Sequence, residues 1–221
     1  MSEATKVKIL TSATALFQRQ GYDGTSVRDI AQDASVNIAL VSYYFGGKKG
    51  LFESLMIQFY EGYMQELDKG CKQSDEESSY DSLIDLVRAL INYQRSQHQL
   101  ARMVHREMSF DSTLVREVMA TYLQKEKHEL SRLVKQGMAS GQFRKQPVDF
   151  VIIQLRSMIT LPFMSPQYLW ELFQLSPKES YFTDRYMDHL KQWIASGLGN
   201  GSLALHLNKP TIRIKQMYES R

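Results

Sequence analysis

The sequence predicts an all-α protein, and three observations carry that expectation. Only five prolines occur and none precedes Pro147, so the first two thirds of the chain meet no enforced helix break. Apolar residues recur at helical spacing through nearly every segment. The one run that reads as a strand by propensity, VNIALVSYYF from Val36 to Phe45, has no second strand near it to satisfy its backbone groups. The expected division is a three-helix unit at residues 1–47 and a larger helical region at 48–221.

Taken in order, Ile9, Ala13, Leu16, Phe17 and Gln20 share one face of a first helix, which stops at Gly21 because glycine accepts the left-handed cap. Thr25 or Ser26 caps a second helix, with Val27, Ile30, Ala31 and Ala34 at helical spacing. Residues 36–45 then read best as a short third helix capped by Asn37. Its Val41, Tyr44 and Phe45 turn toward the first two helices, which leaves Ile38, Ala39, Leu40, Ser42 and Tyr43 toward solvent. Helix, short turn DASVN, helix is the helix-turn-helix layout, whose second helix enters a DNA major groove. The exposed apolar residues thereby acquire a use.

A long fourth helix starts near Lys48, with Phe52, Met56, Phe59, Tyr60, Tyr63 and Leu67 in one stripe. KQSDEESS at 72–79 reads as a polar linker, after which Leu83, Val87 and Leu90 begin another helix. Asp111 to Gly141 forms one more, closed by SGQF. Pro147, at a first-turn position, opens a helix bearing Val148, Ile152, Leu155 and Ile159. Phe182, Tyr186, Leu190 and Trp193 mark the last long helix, and the tail beyond Gly197 is weakly patterned.

Composition narrows the function classes. Hydrophobic residues make up 43% and charged residues 23%, which is ordinary for a soluble globular chain. A formal net charge of +3 suits an acidic partner without requiring one. The single cysteine, Cys71, rules out an intrachain disulfide and a cysteine metal cluster, consistent with a cytoplasmic protein. The first 21 residues break their apolar positions with Lys, Thr, Ser and Gln, unlike a signal peptide. The longest apolar stretch contains Asp149 and Arg156 and fails as a membrane span. GGKKGL follows a helix and lacks the phosphate-loop spacing, and His98, His105, His128, His189 and His206 show no close ligand spacing. No metal, cofactor or enzyme activity is expected.

The stretch from Ile9 to Met56 resembles the DNA-binding region of the TetR/AcrR family of bacterial regulators. The likeness runs through A-x-x-L-F-x-x-x-G-Y in the first helix, then G-T-S-V-R-D-I-A, the turn, and Y-Y-F-x-x-K-x-x-L-F. The resemblance implies a cytoplasmic, nucleoid-associated homodimer on double-stranded DNA, acting as a repressor, with a C-terminal domain for dimerisation and a small-molecule effector. Family members often carry tyrosine where this chain has Ser42 and histidine where it has Tyr44. The start of the third helix is also less polar here, so base readout is expected to lean on contact with thymine methyl groups.

On the DNA side, Thr25 and Ser26 cap a helix start that faces a phosphate, Arg28 offers a charge, and Asn37, Ile38, Ala39, Leu40 and Ser42 lie along the groove. Tyr43 and Lys48 are expected to contact phosphate, with Lys49 adjacent. For the dimer, the stripes Val148-Ile152-Leu155-Ile159 and Phe182-Tyr186-Leu190-Trp193, each long enough to serve both the monomer core and a partner, are the candidates, packed as a four-helix bundle. For an effector cavity, Tyr60, Tyr63, Tyr93, Met103, Tyr122, Met158 and Trp170 are the candidate lining, by resemblance alone. The alternative is a DNA-bound factor whose C-terminal domain engages another protein. LPFMSPQYLWELFQLSPKESYF and DRYMDHLKQWI resemble a RefZ-like branch of the family linked to sporulation and cell division.

Overall fold

A computed structural model describes residues 3–72, 78–109 and 113–200. Among these, ten helices run in chain order: α1 (Glu3–Gln20), α2 (Val27–Asp33), α3 (Ile38–Phe45), α4 (Lys48–Lys72), α5 (Ser79–Ser96), α6 (His98–Met108), α7 (Thr113–Ala139), α8 (Val148–Met164), α9 (Pro166–Phe173) and α10 (Ser180–Leu198). The all-α expectation holds over the described residues. Most of the 72–79 linker, the tail from residue 201 with His206, and the Cys71 side chain lie outside them.

Local chemistry sets the boundaries. α1 ends where Gly21 takes φ +79°, a left-handed conformation that costs glycine nothing. α2 begins with a reciprocal cap, the Ser26 hydroxyl accepting from the Asp29 N–H while the Asp29 carboxylate accepts from the Ser26 N–H. Asn37 caps α3 by accepting from Ala39 N–H at 2.9 Å. Ser78 does the same for α5 through Asp81 N–H. The helix expected to run on from Leu83 is interrupted at Gln97, so that α5 and α6 are separate elements.

α8 carries Pro162 in its interior, which removes an N–H that would bond the Met158 carbonyl. The Tyr186 hydroxyl of α10 donates to that carbonyl instead, at 2.9 Å. Gln94 of α5 donates to the next one, Ile159, at 3.0 Å. The break in the α8 ladder thus becomes two ties to neighbouring helices.

The core is continuous from Ile9 to Leu198. α4 packs on α1 and α3 at its start and on α5 and α7 further along. Phe52 meets Phe17 at 5.6 Å and Tyr22 at 4.9 Å between ring centres, whereas Phe59 meets Tyr93 at 5.6 Å. The expected boundary at 47/48 therefore falls at the start of a helix shared by both regions. No single helix among the described residues is long and apolar enough to cross a membrane.

Candidate nucleic-acid interface

α3 is held by one deeply buried side chain, Val41 at 0% exposure, with Tyr44 and Phe45 half-buried beside it. A helix of eight residues has too few hydrogen bonds to stand alone, so this anchoring fixes it. Its outer face carries Ile38 at 45% and Tyr43 at 72% exposure, with Ala39 and Ser42 also exposed. Leu40 differs from expectation. It is half-buried and packs against the core, so it is not free along the groove face.

Two further expectations change. Thr25 is 2% exposed and its hydroxyl donates to the Gly21 carbonyl at 2.8 Å, so it braces the α1–α2 turn and offers no surface to a phosphate. The cap of α2 belongs to Ser26 alone. Lys48 donates from Nζ to the Tyr22 carbonyl at 2.9 Å and the Thr25 carbonyl at 3.0 Å, and sits 4.3 Å from the Tyr22 ring centre. Two of its three N–H donors are thus committed within the chain. Ser26, Arg28 and Asn37 remain exposed, and Lys49 lies 3.7 Å from Glu53. The Ser26 hydroxyl and N–H hold the Asp29 carboxyl below its usual pKa, with the nearby Arg28 charge adding to the effect.

The same turn is gripped from α6, which sequence reasoning did not foresee. Arg106 donates to the Gln18 and Arg19 carbonyls at 2.9 and 3.1 Å, satisfying the open end of α1. Glu107 accepts from Tyr22 N–H at 3.2 Å, and its burial raises its pKa against that bond. Residues 85 to 88 positions apart make these contacts, and their acceptors are mostly backbone groups. No residue pattern signals such pairs. The Ser26-x-x-Asp29 spacing, by contrast, is a capping-box signature readable from sequence.

In the C-terminal region four of the expected effector positions, Tyr60, Tyr63, Tyr93 and Tyr122, pack into one aromatic cluster around Phe59. Tyr60 stacks on Tyr122 at 5.1 Å and 11°, and its hydroxyl meets Met108 sulfur at 3.0 Å. Tyr63 donates to Glu126 at 2.7 Å, whose other oxygen takes Arg156 Nε at 3.0 Å. Burial, reinforced by the Glu126 charge, pushes the Tyr63 pKa well up. Burial works against the Arg156 charge, but Glu126 outweighs it and the guanidinium pKa is raised. Tyr93 donates to the Phe59 carbonyl at 2.8 Å, and Met103 is fully buried. Trp170 is away from this cluster, 51% exposed on α9. Met158 lines an open groove between α8 and α10 with Tyr186, His189 and Trp193, of about 530 Å³.

The expected dimer stripes need a similar correction. Ile152, Leu155, Ile159, Phe182 and Leu190 are 0–7% exposed inside one chain, so they belong to its own core. Val148 and Tyr186 are half-buried, and only Trp193, at 42%, is open. The exposed stripe of α8 lies one step round the helix, at Phe150, Ile153 and Leu161.

Known proteins share both the head and the body of this chain. Residues 9–55 match the family described as "Bacterial regulatory proteins, tetR family". Over 205 residues the chain is 42% identical to the "Probable HTH-type transcriptional regulator YttP" of Bacillus subtilis (strain 168), covering 93% of this chain and 99% of that protein. It is also 42% identical over 48 residues, 22% of this chain and 26% of the relative, to the "Biofilm operon icaADBC HTH-type negative transcriptional regulator IcaR" of Staphylococcus aureus (strain Newman). Its fold is shared with the ketosteroid transcriptional regulator KstR2 of Mycobacterium tuberculosis, at TM-score 0.73, 16% identity, and 90% and 97% coverage of the two chains. The TetR family transcriptional regulator PfmR of Thermus thermophilus superposes at TM-score 0.70, with 20% identity and 87% and 96% coverage. The motif match over the head and the likeness to YttP along nearly the whole length agree with the helix-turn-helix geometry: the chain belongs to the TetR family of bacterial regulatory proteins and is a DNA-binding transcriptional regulator.

Proposed function

We propose that this regulator binds its operator as a homodimer, reads it with the outer face of α3, and represses by occupying promoter DNA. The observation that carries the reading is the division of α3 into a face anchored by Val41 and a face where Ile38, Ala39, Ser42 and Tyr43 are free. Ile38 and Ala39 have the size and polarity to meet thymine methyl groups, while the Tyr43 hydroxyl and Arg28 suit phosphate oxygens. Ser26 and Asn37 border the same surface. The IcaR likeness over the head, that protein being named a negative regulator, supports repression. The tyrosine cluster at Tyr60, Tyr63, Tyr93 and Tyr122 is assigned to core packing, and the C-terminal region from α4 onward to dimerisation.

Two heads on successive major grooves stand about 34 Å apart, so a symmetric interface must set their separation. The exposed faces of α8 and α10 suit that task. Ile153→Asp is expected to yield a folded monomer with feeble operator affinity. At the DNA surface, Ala39→Asp places a carboxylate against the bases, and should retain the wild-type circular dichroism while losing specific binding at sites found by genome-wide mapping. Tyr43→Phe should weaken all sites alike. An Ala39→Asp protein that still selects its operator over random DNA would overturn the orientation of α3.

A further inference from the structure

α1 and α6 lie side by side and join the head to the body along one seam. The seam is tied at one end, where Arg106 and Glu107 of α6 hold the last carbonyls of α1 and the Tyr22 N–H. At the other end it is open. About 12 Å back along α1, at 1.5 Å per residue from Gln18 to Leu10, a cleft of about 260 Å³ lies between α1, α4 and the corner where α5 gives way to α6.

The floor of this cleft is apolar, with Leu55 and Leu100 buried and Leu10 half-buried. Its walls are polar but carry no Lys, Arg, Asp or Glu among the described residues. The Thr11, Thr14 and Ser96 hydroxyls donate to backbone carbonyls at 2.7–2.9 Å, which leaves their oxygens free to accept. Gln58, Gln97 and Gln99 present exposed side-chain amides that make no hydrogen bond among the described residues. Gln97 also leaves the start of α6 without a side-chain cap, so open N–H donors border the cleft. His98 completes the wall, and burial, with Lys178 and Arg102 nearby, lowers its pKa, so its ring is neutral at pH 7.

We propose that this cleft is an effector site for a compact uncharged molecule, an apolar ring or chain bearing a carbonyl or hydroxyl oxygen, whose binding fixes the head against the body. The volume lies just below the usual range of small-ligand pockets, about 300–1,000 Å³, which sets the compact size. A charged ligand would lose its hydration here without gaining an ionic partner. None of the residues of the tyrosine cluster lines the site. An occupant touches α1 on one side and α6 on the other, so it favours one position of the head. With the end of α1 held by Arg106 and Glu107, a tilt of the head that seats α3 in the groove changes the width of the cleft, and the occupant opposes it. Operator affinity therefore falls, and the occupant is held more weakly by the same factor once operator is bound. The inference needs only DNA binding by the intact chain and is independent of the dimer faces.

Prodan, an uncharged naphthalene ketone whose emission moves to shorter wavelength on leaving water, tests the site on the full chain. Its blue shift should saturate at one prodan per chain. Thr11→Phe, at an exposed position of α1, fills the cleft and should abolish the shift while circular dichroism stays unchanged. Val7→Phe, one turn earlier and 54% exposed, should do the same. Saturating prodan should lower the operator affinity of wild type at least about 5-fold and leave that of Thr11→Phe unaffected. Both variants binding prodan as wild type does, or no blue shift with wild type, would overturn the site. Binding that the variants abolish, but that leaves wild-type operator affinity unchanged, would overturn the coupling to the head.

Discussion

The Lys48 ammonium lies between two backbone carbonyls and over the Tyr22 ring, so its charge is used within the head before any DNA arrives. Lys48→Met should therefore lower head stability by about 2 kcal/mol in denaturant unfolding, the scale of hydrogen bonds to a charged group. The slope of log affinity against log salt should stay unchanged. A slope flatter by about one would instead mark a lost phosphate contact. His105 gives a second expectation. It is buried, faces the Phe59 ring at 6.0 Å, and shares a 2.6 Å hydrogen bond with Gln94; burial, with the Arg156 charge behind it, depresses its pKa from 6.5 to about 4. In the unfolded chain it takes up a proton near pH 6.5, while in the fold it stays neutral down to about 4. Its contribution is complete above pH 6.5 and is lost as pH falls toward 4, an effect of about 3 kcal/mol. His105→Gln, which stays neutral, should remove this part of the acid sensitivity when unfolding is followed between pH 7 and 4.

Helix packing here rests on close approaches that propensity alone would misjudge. Gly137 sits inside α7, where alanine is favoured by about 1 kcal/mol. A Cβ at that position, however, would run into the Phe143 ring, which is 2% exposed and held by its N–H to the Gly137 carbonyl at 2.8 Å. Overpacking of this kind costs about 1–3 kcal/mol, so Gly137→Ala should lower the thermal midpoint. The elements themselves were legible unevenly. α1, α2, α4, α8 and α10 announce themselves by apolar spacing, and α3 by the lack of any strand to pair with. The α5–α6 break is silent because Gln97 is neither glycine nor proline. α9 is silent because a helix apolar on several sides shows no period. The intrachain ties of Thr25, Lys48, Arg106 and Glu107 are not legible for a shared reason: their partners are largely main-chain groups, which every sequence supplies everywhere.

At the scale of the whole molecule, most residues of the two stripes expected to serve both the monomer core and a partner are buried within one chain. Periodicity finds the apolar face of α8, yet α8 has two: Ile152, Leu155 and Ile159 turn inward while Phe150, Ile153 and Leu161 turn out. Spacing cannot say which of two faces meets the same chain. The continuous core makes a further demand. Because Leu51, Phe52 and Leu55 of α4 are at most 1% exposed and share a cluster with Phe17 and Ile30, the head should not melt ahead of the rest. One calorimetric transition is expected, and two well-separated ones would contradict it. A shared α4 also bears on modularity. A head cut at residue 47 leaves Phe17 and Tyr22 without the Phe52 ring, and the α1–α2 turn without Lys48, Arg106 and Glu107. Grafting this DNA specificity onto another body thus requires a joint within α4, beyond Leu55, together with a recipient helix that brings an arginine and a carboxylate to the end of α1. The part of this protein that recognises DNA is larger than the part that touches it.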